Sequence, residues 1–446
     1  MLRIQSHRGT RSRTLNTTDF ENSPLIGYAS QDAIGEQIYE RDRTATVLEG
    51  AFYETPRAAR FAHDRLARGP SLVVAARSLL KEPGAFACVY QKQGRTYAFR
   101  DLNGLKPLYY ARSRNVTAFA SERKALWKIG LKDAHRALPG CLYSISERKL
   151  NEIRLARLQR PATRKLTINK ASSRLSVLLR KAIRRITRGV DKVSVAFSGG
   201  LDSALTALLA KKANCNLEAV SVGLPGSQEL SNVEPFAQEL DLPITIETFG
   251  FDSLEEYVRR VVWLIEEPNL MKVSVAVPLH WAAMVAAKRG CRVMLCGQGS
   301  DELYGGYYKY ARTLDGKGRR ALVAELYRSV LDSAQVNYER DDQATAPFGV
   351  ELRTAFADLD VIEFSLSIPS QFKVKAGNDL TRKWVLRNVA KEEGLPEDMI
   401  WRRKKAIQHG TGVENAIRKL AKKQGLTAEG YLLKIQEETI GLDSMP

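Results

Sequence analysis

Two short segments of this sequence combine glycines with hydroxyl and carboxyl side chains, and each follows an apolar run. The first, Ser-Gly-Gly-Leu-Asp-Ser at residues 198–203, follows the apolar residues 193–197. Paired glycines let backbone N–H groups approach an anion closely, and a helix starting there adds its positive N-terminal end. Ser198 and Ser203 supply hydroxyl donors, and Asp202 is a candidate Mg²⁺ ligand. The segment lacks the Gly-Lys-Ser/Thr ending of a Walker A loop, but it predicts a phosphate site.

The second segment repeats this arrangement further along the chain. The apolar residues 293–296 lead into Gly-Gln-Gly-Ser-Asp-Glu at residues 297–302. By itself, the acidic pair Asp301 and Glu302 is also typical of a helix cap followed by a first-turn carboxylate. Strand ends on one side of a parallel sheet meet at its carboxyl edge, where ligands usually bind. We therefore expect Asp202 and Asp301 to share phosphate and metal at that edge.

The elements that must hold these two segments follow an alternating pattern. From residue 193 onward, strand-like apolar runs alternate with helix-like runs, which is typical of a doubly wound parallel sheet. Strands are predicted at about 193–197, 218–222, 244–248 and 292–296, and helices begin at about 202, 233, 254 and 275. Beyond Asp301 the sequence predicts helices to the end. Val222, which ends the second predicted strand, is expected to lie beside the first glycine segment.

The residues before this region follow a different pattern. Up to about residue 150, short strand-like runs separated by Gly94 and by Asn103-Gly104 predict antiparallel hairpins. The polar and basic residues 151–165, with Pro161 among them, predict a linker. The fold class is therefore predicted as α/β. An N-terminal α+β domain occupies 1–150, a linker 151–165, and a parallel-sheet domain with a helical C-terminal part 166–446.

Composition narrows the class of protein. The chain has 446 residues, of which 44% are hydrophobic, enough for two or three globular domains. The first residues contain no apolar core of signal-peptide length, and no stretch reaches about 18 uninterrupted apolar residues. We therefore expect a cytoplasmic protein with no membrane partner. The five cysteines form no C-x-x-C pair, which favours buried thiols over disulfides or a zinc site.

The charge is strongly basic, with 69 lysines and arginines against 50 aspartates and glutamates. Such an excess raises nucleic acid as a partner. The basic residues are spread along the chain, however, and are densest at 154–165, 180–188 and 402–405. In the second of these, apolar residues keep helical spacing, which predicts one packed face and one basic face in water. Interleaved exposed aromatics and RNA-module motifs are missing, so nucleic acid is not expected as a partner.

Taken together, the motifs resemble those of the asparagine synthetase family, and the first glycine segment resembles the pyrophosphate loop of ATP pyrophosphatases. Besides the two glycine segments, the similar parts are residues 222–227, 349–353 with Phe356 and Asp358, 383–387, and 401–405. The resemblance covers most of the chain. It implies a glutaminase-like N-terminal domain of the Ntn type, in which the N-terminal residue is the nucleophile, followed by an ATP pyrophosphatase domain.

The resemblance also implies a reaction. ATP would activate the side-chain carboxylate of aspartate, or a similar carboxylate, as an acyl-adenylate with release of pyrophosphate, and ammonia would then form asparagine and AMP. The implied ATP contacts are Phe197, Ser198, Gly199, Gly200, Leu201, Asp202, Ser203, Val222, Cys296 and Gly297. Asp202 and Asp301 would bind Mg²⁺, and Lys404 would steady the phosphates. Without the resemblance, a lysine in so basic a run is typical of solvated surface.

One position in the second glycine segment departs from the family pattern. Gln298 stands where many members carry glutamate, and an amide orients groups but cannot accept the proton of attacking ammonia. The base is then water, pyrophosphate or another residue, with Glu302 as a candidate. The candidate catalytic residues are accordingly Lys404, Gln298 and Glu302.

The N-terminal domain departs further from the family. Residues 84–87, 100–110, 120–122 and 139–140 resemble the later part of a family glutaminase domain. Family glutaminases use an N-terminal cysteine as nucleophile, but residue 2 is Leu2, and Glu49 stands where an oxyanion-hole asparagine is usual. Either the strand bearing the cysteine is lost or the sequence begins at a downstream methionine. We expect no glutamine hydrolysis, and hence free ammonia or a glutaminase partner as the nitrogen source. A homodimer is also compatible with the sequence.

Three other functions stay open at this point. Beta-lactam synthetases and macrolactam-forming cyclases also resemble asparagine synthetases and lack the cysteine, which makes an amide- or lactam-forming ligase on another carboxylate the nearest alternative. A tRNA-modifying ATP pyrophosphatase fits the net charge, but the missing cysteine pairs and the similarity through Lys404 argue against it. A non-catalytic regulatory protein is disfavoured because Asp202 and Asp301 are both present.

Overall fold

The computed structural model describes Arg8 and residues 11–16, 25–30, 37–114, 116–146, 149–227, 230–402 and 407–442. The strands in these ranges are β1 (Arg11–Asn16), β2 (Leu25–Ser30), β3 (Ile38–Arg41), β4 (Thr44–Phe52), β5 (Gly84–Lys92), β6 (Arg95–Arg100), β7 (Tyr109–Arg112), β8 (Thr117–Ala120), β9 (His135–Arg136), β10 (Cys141–Ser146), β11 (Lys149–Arg154), β12 (Val193–Ala196), β13 (Leu217–Gly223), β14 (Ile244–Thr248), β15 (Val293–Leu295) and β16 (Glu351–Arg353).

The helices in the same ranges are α1 (Ala58–Arg68), α2 (Leu72–Leu79), α3 (Arg123–Lys128), α4 (Ile168–Ile186), α5 (Leu201–Lys212), α6 (Val233–Glu239), α7 (Phe251–Ile265), α8 (Leu270–Lys288), α9 (Ser300–Tyr304), α10 (Tyr308–Ser333), α11 (Glu339–Thr345), α12 (Leu359–Ser367), α13 (Trp384–Glu392), α14 (Glu397–Trp401), α15 (Ile407–Gly410), α16 (Val413–Lys423) and α17 (Ala428–Thr439). A π-helical turn, Ala334–Tyr338, joins α10 to α11, and a 3₁₀ turn, Ala355–Ala357, follows β16.

The N-terminal part is built on a six-stranded antiparallel sheet in the order β11-β10-β6-β5-β4-β3. Helices α1 and α2 bury alanine and leucine side chains against one face of it, together with Phe86 and Phe99. The hairpin expected at Gly94 is confirmed, since that turn joins the paired strands β5 and β6. The expectation of a hairpin at Asn103-Gly104 is wrong, because this turn leads from β6 into β7, which belongs to a separate sheet.

The second part is a five-stranded parallel sheet in the order β14-β13-β12-β15-β16. Successive residues alternate between two apolar cores: Val193 and Val195 pack with α4 and α5, while Val220 and Met294 pack with α7 and α8. Both faces of the sheet are therefore covered, and the α/β fold class predicted from the sequence is confirmed. Strand β11 continues to Arg154, within the predicted linker, and the predicted domain boundaries stay a prediction.

Strand β16 was not expected from the sequence. The prediction of helices alone beyond Asp301 is wrong, because β16 adds a fifth strand beside β15. It is three residues long, too short for any periodicity to show, and only pairing with β15 defines it.

Among the described residues, α8 has the length and hydropathy of a membrane span, with a mean hydropathy of 1.5, but 78% of that window is buried. Its packing is that of a core helix.

All five cysteines lie in the described ranges and are free, and Cys88, Cys141, Cys291 and Cys296 are buried. The prediction of buried thiols without disulfides is confirmed for these four, while Cys215 is only partly buried.

Glu218 lies near the start of β13, where three donors surround its carboxylate. Lys192 Nζ, Thr245 Oγ1 and Arg289 Nε each donate to its carboxylate at 2.6 Å. Burial raises the pKa of Glu218, but these hydrogen bonds outweigh burial and leave the pKa below its ordinary value. The charged form is therefore favoured in the folded protein.

We expect Glu218→Gln to lower the free energy of unfolding by about 1–3 kcal/mol at neutral pH, because the cations around it lose their charged acceptor. Since folding depresses the pKa, the contribution of Glu218 is complete above the unfolded pKa, ordinarily about 4.3. It is lost as the pH falls through the folded value. Urea unfolding of both proteins across this pH range checks the prediction. A difference that stays constant into acid contradicts it.

Candidate active site

The first glycine segment forms a closed loop between β12 and α5. Ser203 Oγ accepts from the backbone N of Ser198 at 3.2 Å and donates to the carbonyl of Gly200 at 3.1 Å. Gly199 has a φ of 64°, the left-handed conformation that glycine adopts readily. Arg402 Nη1 donates to the carbonyl of Gly199 at 3.1 Å, which puts a cation beside the loop. The loop is thus formed by its own hydroxyl groups before any ligand binds.

The second glycine segment lies directly against the first. It follows β15, and Cys296 N donates to Arg353 O of β16 at 3.0 Å. A Cβ on Gly297 would lie 2.5 Å from the Cβ of Asp202 and 3.1 Å from its carbonyl carbon. Only glycine therefore allows the two loops to come this close. Helix α9 begins at Ser300, with Asp301 and Glu302 in its first turn.

A lysine lies between the two aspartates that the sequence predicts to meet. Lys383 Nζ is 2.8 Å from Asp202 Oδ1, 2.7 Å from Asp202 Oδ2 and 2.6 Å from Asp301 Oδ1. It also donates to Ser300 Oγ at 2.9 Å, and the Lys383 side chain is only 4% exposed. The structure thus brings Asp202 and Asp301 together around a buried ammonium group.

The backbone that carries this lysine is strained. Arg382 and Lys383 have φ values of 48° and 53°, two successive non-glycine residues in the left-handed region. Such residues cost about 1–3 kcal/mol each and persist when their surroundings hold them. Here Asp379 holds the turn, accepting from the backbone N of Thr381 and of Arg382 at 2.9 Å each, and from Trp384 Nε1 at 2.8 Å. This strained turn directs the Lys383 side chain to the two aspartates.

Sequence reasoning did not assign Lys383 a role of its own. Local patterns offer one signal: the lysine stands at the N-cap of α13, where the helix dipole disfavours a cation. Its position indicates that a nearby negative group compensates for this, but the sequence does not say which one.

The two aspartates form the best candidate Mg²⁺ site at these loops. In the ranges that the structure describes, no three His, Cys, Asp or Glu side chains are grouped as metal ligands. Mg²⁺ usually takes one or two carboxylates from a protein and completes its shell with water and phosphate oxygens. Asp202 and Asp301 fit that donor set, with Lys383 as a competing cation.

Glu302 lies deeper in the second loop. Tyr307 Oη and Asn337 Nδ2 each donate to its Oε1 at 2.8 Å, while Oε2 has no hydrogen-bond partner among the described residues. Burial, followed by the neighbouring charge of Asp301, raises the pKa of Glu302. Gln298 lies close by, and its backbone O accepts from Thr354 Oγ1 at 2.7 Å.

The remaining predicted residues divide into two groups. Phe197, Val222 and Cys296 are all buried at the carboxyl ends of β12, β13 and β15, and burial raises the pKa of the Cys296 thiol to about 12. Lys404 and Leu2 both lie outside the described residues. The structure therefore gathers the loop residues and both aspartates, and it gives no contact for Lys404.

Two family models and several curated proteins match this chain. A family model described as asparagine synthase matches residues 174–321 and 313–434, and one described as a glutamine amidotransferase domain matches 78–128. The chain is 33% identical over 388 residues to a putative asparagine synthetase [glutamine-hydrolyzing] 1 of Methanocaldococcus jannaschii, covering 77% of this chain and 71% of that protein.

Two further matches are weaker. The chain is 27% identical over 355 residues to a probable asparagine synthetase [glutamine-hydrolyzing] of Schizosaccharomyces pombe, covering 72% of this chain and 62% of that protein. The chain thus spans less than two thirds of this second relative. A solved NMN synthetase from Francisella tularensis has a TM-score of 0.31 at 12% identity, covering 62% of this chain and 92% of that one. A score this low carries no argument.

The chain is an α/β protein that combines an antiparallel-sheet part, matched at residues 78–128 by the glutamine amidotransferase model, with a parallel sheet and two touching glycine loops. With the asparagine synthase model matching most of residues 174–434, the chain belongs to the asparagine synthetase family, a family of ligases.

Contact between the two loops is tested by Gly297→Ala. The added methyl group meets the backbone of Asp202, so we expect a loss of about 1–3 kcal/mol in the free energy of unfolding. Gly316→Ala is the matched control, since a Cβ there meets nothing within 4 Å. Urea unfolding of the two variants and the wild type gives the comparison. Equal stability of both variants would contradict the packing of the two loops.

Proposed function

We propose that this protein uses ATP to convert aspartate to asparagine through an acyl-adenylate, with ammonia as the nitrogen donor. The observation that carries the proposal is the pairing of Asp202 and Asp301 around Lys383, at the contact of two glycine loops. Family membership gives the class of reaction, and in this cluster two carboxylates, the Ser300 hydroxyl and a buried cation meet.

The proposed roles follow from the positions. Backbone N–H groups and hydroxyls of residues 198–203 hold the phosphates of ATP, and Phe197, Val222, Cys296 and Gly297 surround the nucleotide. Bound Mg²⁺ would offset the charge of the leaving pyrophosphate, with Asp202 and Asp301 as its protein ligands. Lys383 balances the charge of the two aspartates, and its ammonium would also bind phosphate oxygens. Lys404 is proposed as a second phosphate-binding lysine on the family resemblance alone.

The second loop is proposed to orient the incoming ammonia and to accept its proton. The amide of Gln298 orients the nucleophile but accepts no proton. Glu302 is a carboxylate of the same loop whose Oε2 has no hydrogen-bond partner among the described residues, and Tyr307 and Asn337 fix its orientation. We therefore propose Glu302 as the group that receives the proton of attacking ammonia.

Ammonia is proposed over glutamine because of the N-terminal part. Glu49, at the position of the usual oxyanion-hole asparagine, pairs with Arg8 and accepts from Ser121 Oγ, so a carboxylate stands where a donor is needed. Burial raises the pKa of the thiols of Cys88, Cys141, Cys291 and Cys296, which suits none of them as a nucleophile. A separate glutaminase partner would serve equally as the ammonia source. The free thiols also favour the proposed cytoplasmic location.

The paired aspartates give the first prediction for activity. With Mg²⁺, ATP, aspartate and ammonium, we expect Asp301→Asn to lower pyrophosphate and asparagine formation by about 100-fold or more, because charge stabilisation at the phosphates is lost. Asp241→Asn is the matched control, since Asp241 is exposed and pairs with Lys211 on the surface. Coupled measurement of both products decides the result. Full activity of Asp301→Asn would remove the aspartate pair from the mechanism.

Nitrogen donors give the second prediction. We expect asparagine with ammonium and none with glutamine, because burial raises the pKa of four of the five thiols and disfavours the thiolate nucleophile. The assay follows asparagine, glutamate and pyrophosphate with each donor in turn. Glutamate released from glutamine, in protein free of contaminating glutaminase, would show that the N-terminal part is active. Absence of pyrophosphate with aspartate and either donor would instead exclude aspartate as the substrate.

A ligase acting on a larger carboxylate is the second candidate. Tyr308 is 51% exposed, and its ring centroid lies 5.9 Å from the guanidinium of Arg382, the residue before Lys383; Trp401 is 43% exposed and precedes Arg402, which donates to the first glycine loop. Apolar side chains exposed beside a site favour an acyl substrate with more surface than aspartate. Pyrophosphate release with longer amino-acid carboxylates, and none with aspartate, would select this function.

A further inference from the structure

Residues 100–106 form a compact turn, the docking turn, that the proposed reaction leaves without a role. The Asp101 carboxylate organises it, accepting from the backbone N of Asn103 at 3.1 Å, of Leu105 at 3.0 Å and of Lys106 at 3.2 Å. It also accepts from the backbone N of Phe86 at 3.2 Å, which ties the turn to β5. The turn is therefore a rigid projection of the antiparallel sheet.

Two buried ion pairs join the docking turn to α11 of the other part. Arg100 Nη1 is 2.9 Å from Glu339 Oε1, and Lys106 Nζ is 2.6 Å from Asp342 Oδ1. All four side chains are at most 10% exposed. Removing one partner of such a pair leaves a buried charge uncompensated, so the two parts are held in one relative position.

The tip of the docking turn contacts two further segments. Gly104 has a φ of 67°, and a Cβ there would lie 2.8 Å from the Cβ of Ala334, the first residue of the π-helical turn, and 2.8 Å from Cγ of Pro139. Asn103 Nδ2 donates to the carbonyl of Ala357 at 2.6 Å, within the 3₁₀ turn after β16. The tip thus fits between the π-helical turn and the 3₁₀ turn.

Both of these segments contact the second glycine loop on their other side. From the π-helical turn, Asn337 donates to Glu302, and Tyr338 Oη would lie 2.9 Å from a Cβ on Gly299. From the region of the 3₁₀ turn, Thr354 Oγ1 donates to Gln298 O at 2.7 Å. Single π-helical turns are often found at functional sites, where they redirect side chains.

We propose that the docking turn is a positioning element for the second glycine loop: by holding the π-helical and 3₁₀ turns, it fixes Asn337, Glu302 and Gln298 for the incoming nitrogen. The part of this proposal that concerns the incoming nitrogen rests on the proposed function. The first glycine loop contacts Arg402, Phe236 and Lys383 as well as Gly297 of the second loop. The contacts of the docking turn lead to Gln298 and Glu302, so we expect its main effect on the nitrogen step and a smaller one on ATP binding.

Gly104→Ala and Gly94→Ala form a matched pair for the test. Both positions have positive φ, at 67° and 72°, so both variants carry similar backbone strain. Only at position 104 does the new methyl group meet the π-helical turn, since a Cβ on Gly94 meets nothing within 4 Å. Asn103→Ala is a milder second variant, which removes the bond to Ala357 and adds no atoms.

Hydrogen–deuterium exchange of the purified proteins gives a readout that does not depend on the reaction. We expect faster exchange at residues 334–345 and 297–302 in Gly104→Ala and Asn103→Ala, and wild-type exchange there in Gly94→Ala. In steady-state assays, we expect the first two variants to lose about tenfold in kcat/KM for ammonium, with a clearly smaller change in the KM for ATP.

The outcomes separate the two proposals. If the wild type forms no amide from any carboxylate, the proposed function fails, and the exchange comparison alone decides the positioning role. If Gly104→Ala and Asn103→Ala match Gly94→Ala in exchange, the positioning role is overturned, whatever the activity. A parallel rise in the KM for ATP would also overturn it, because the effect would then be general.

Discussion

The site depends on one electrostatic constraint: a buried ammonium between two carboxylates. Asp202 and Asp301 come from loops at the ends of different strands, and two carboxylates so placed would repel each other without a cation. Lys383 supplies that cation. The strained backbone at Arg382 and Lys383, the bonds from Asp379 and the missing side chain at Gly297 all serve this arrangement.

A second group of buried charges joins the two parts of the chain. Glu339 accepts from Arg100, Tyr109 and Arg136, and Asp342 pairs with Lys106 and Arg8. Buried ion pairs add little stability compared with apolar packing, but they fix relative positions because misplacing either partner is costly. The antiparallel-sheet part, in which a glutamine amidotransferase model matches residues 78–128, is thereby connected to the second glycine loop.

Much of the parallel-sheet part was predictable, because burial on both faces leaves continuous apolar runs that end in glycine turns. The positions of β12, β13, β14 and β15 agree with the prediction to within one or two residues. Strand β16 was missed because three residues carry no period. The hairpin expected at Asn103-Gly104 was wrong because the same turn residues also suit a change of sheet.

The sequence by itself determined the α/β class, the two glycine loops and the meeting of Asp202 with Asp301. Apolar runs and glycine turns are local patterns, and in a parallel sheet the loops that follow the strands meet at one edge. Only the tertiary structure decided that Lys383 lies between the aspartates, that Asn337 reaches Glu302 from a π-helical turn, and that the turn at 100–106 docks beside both segments. These contacts join residues far apart in the chain. Their partners are set by packing and buried charge, which no local pattern encodes.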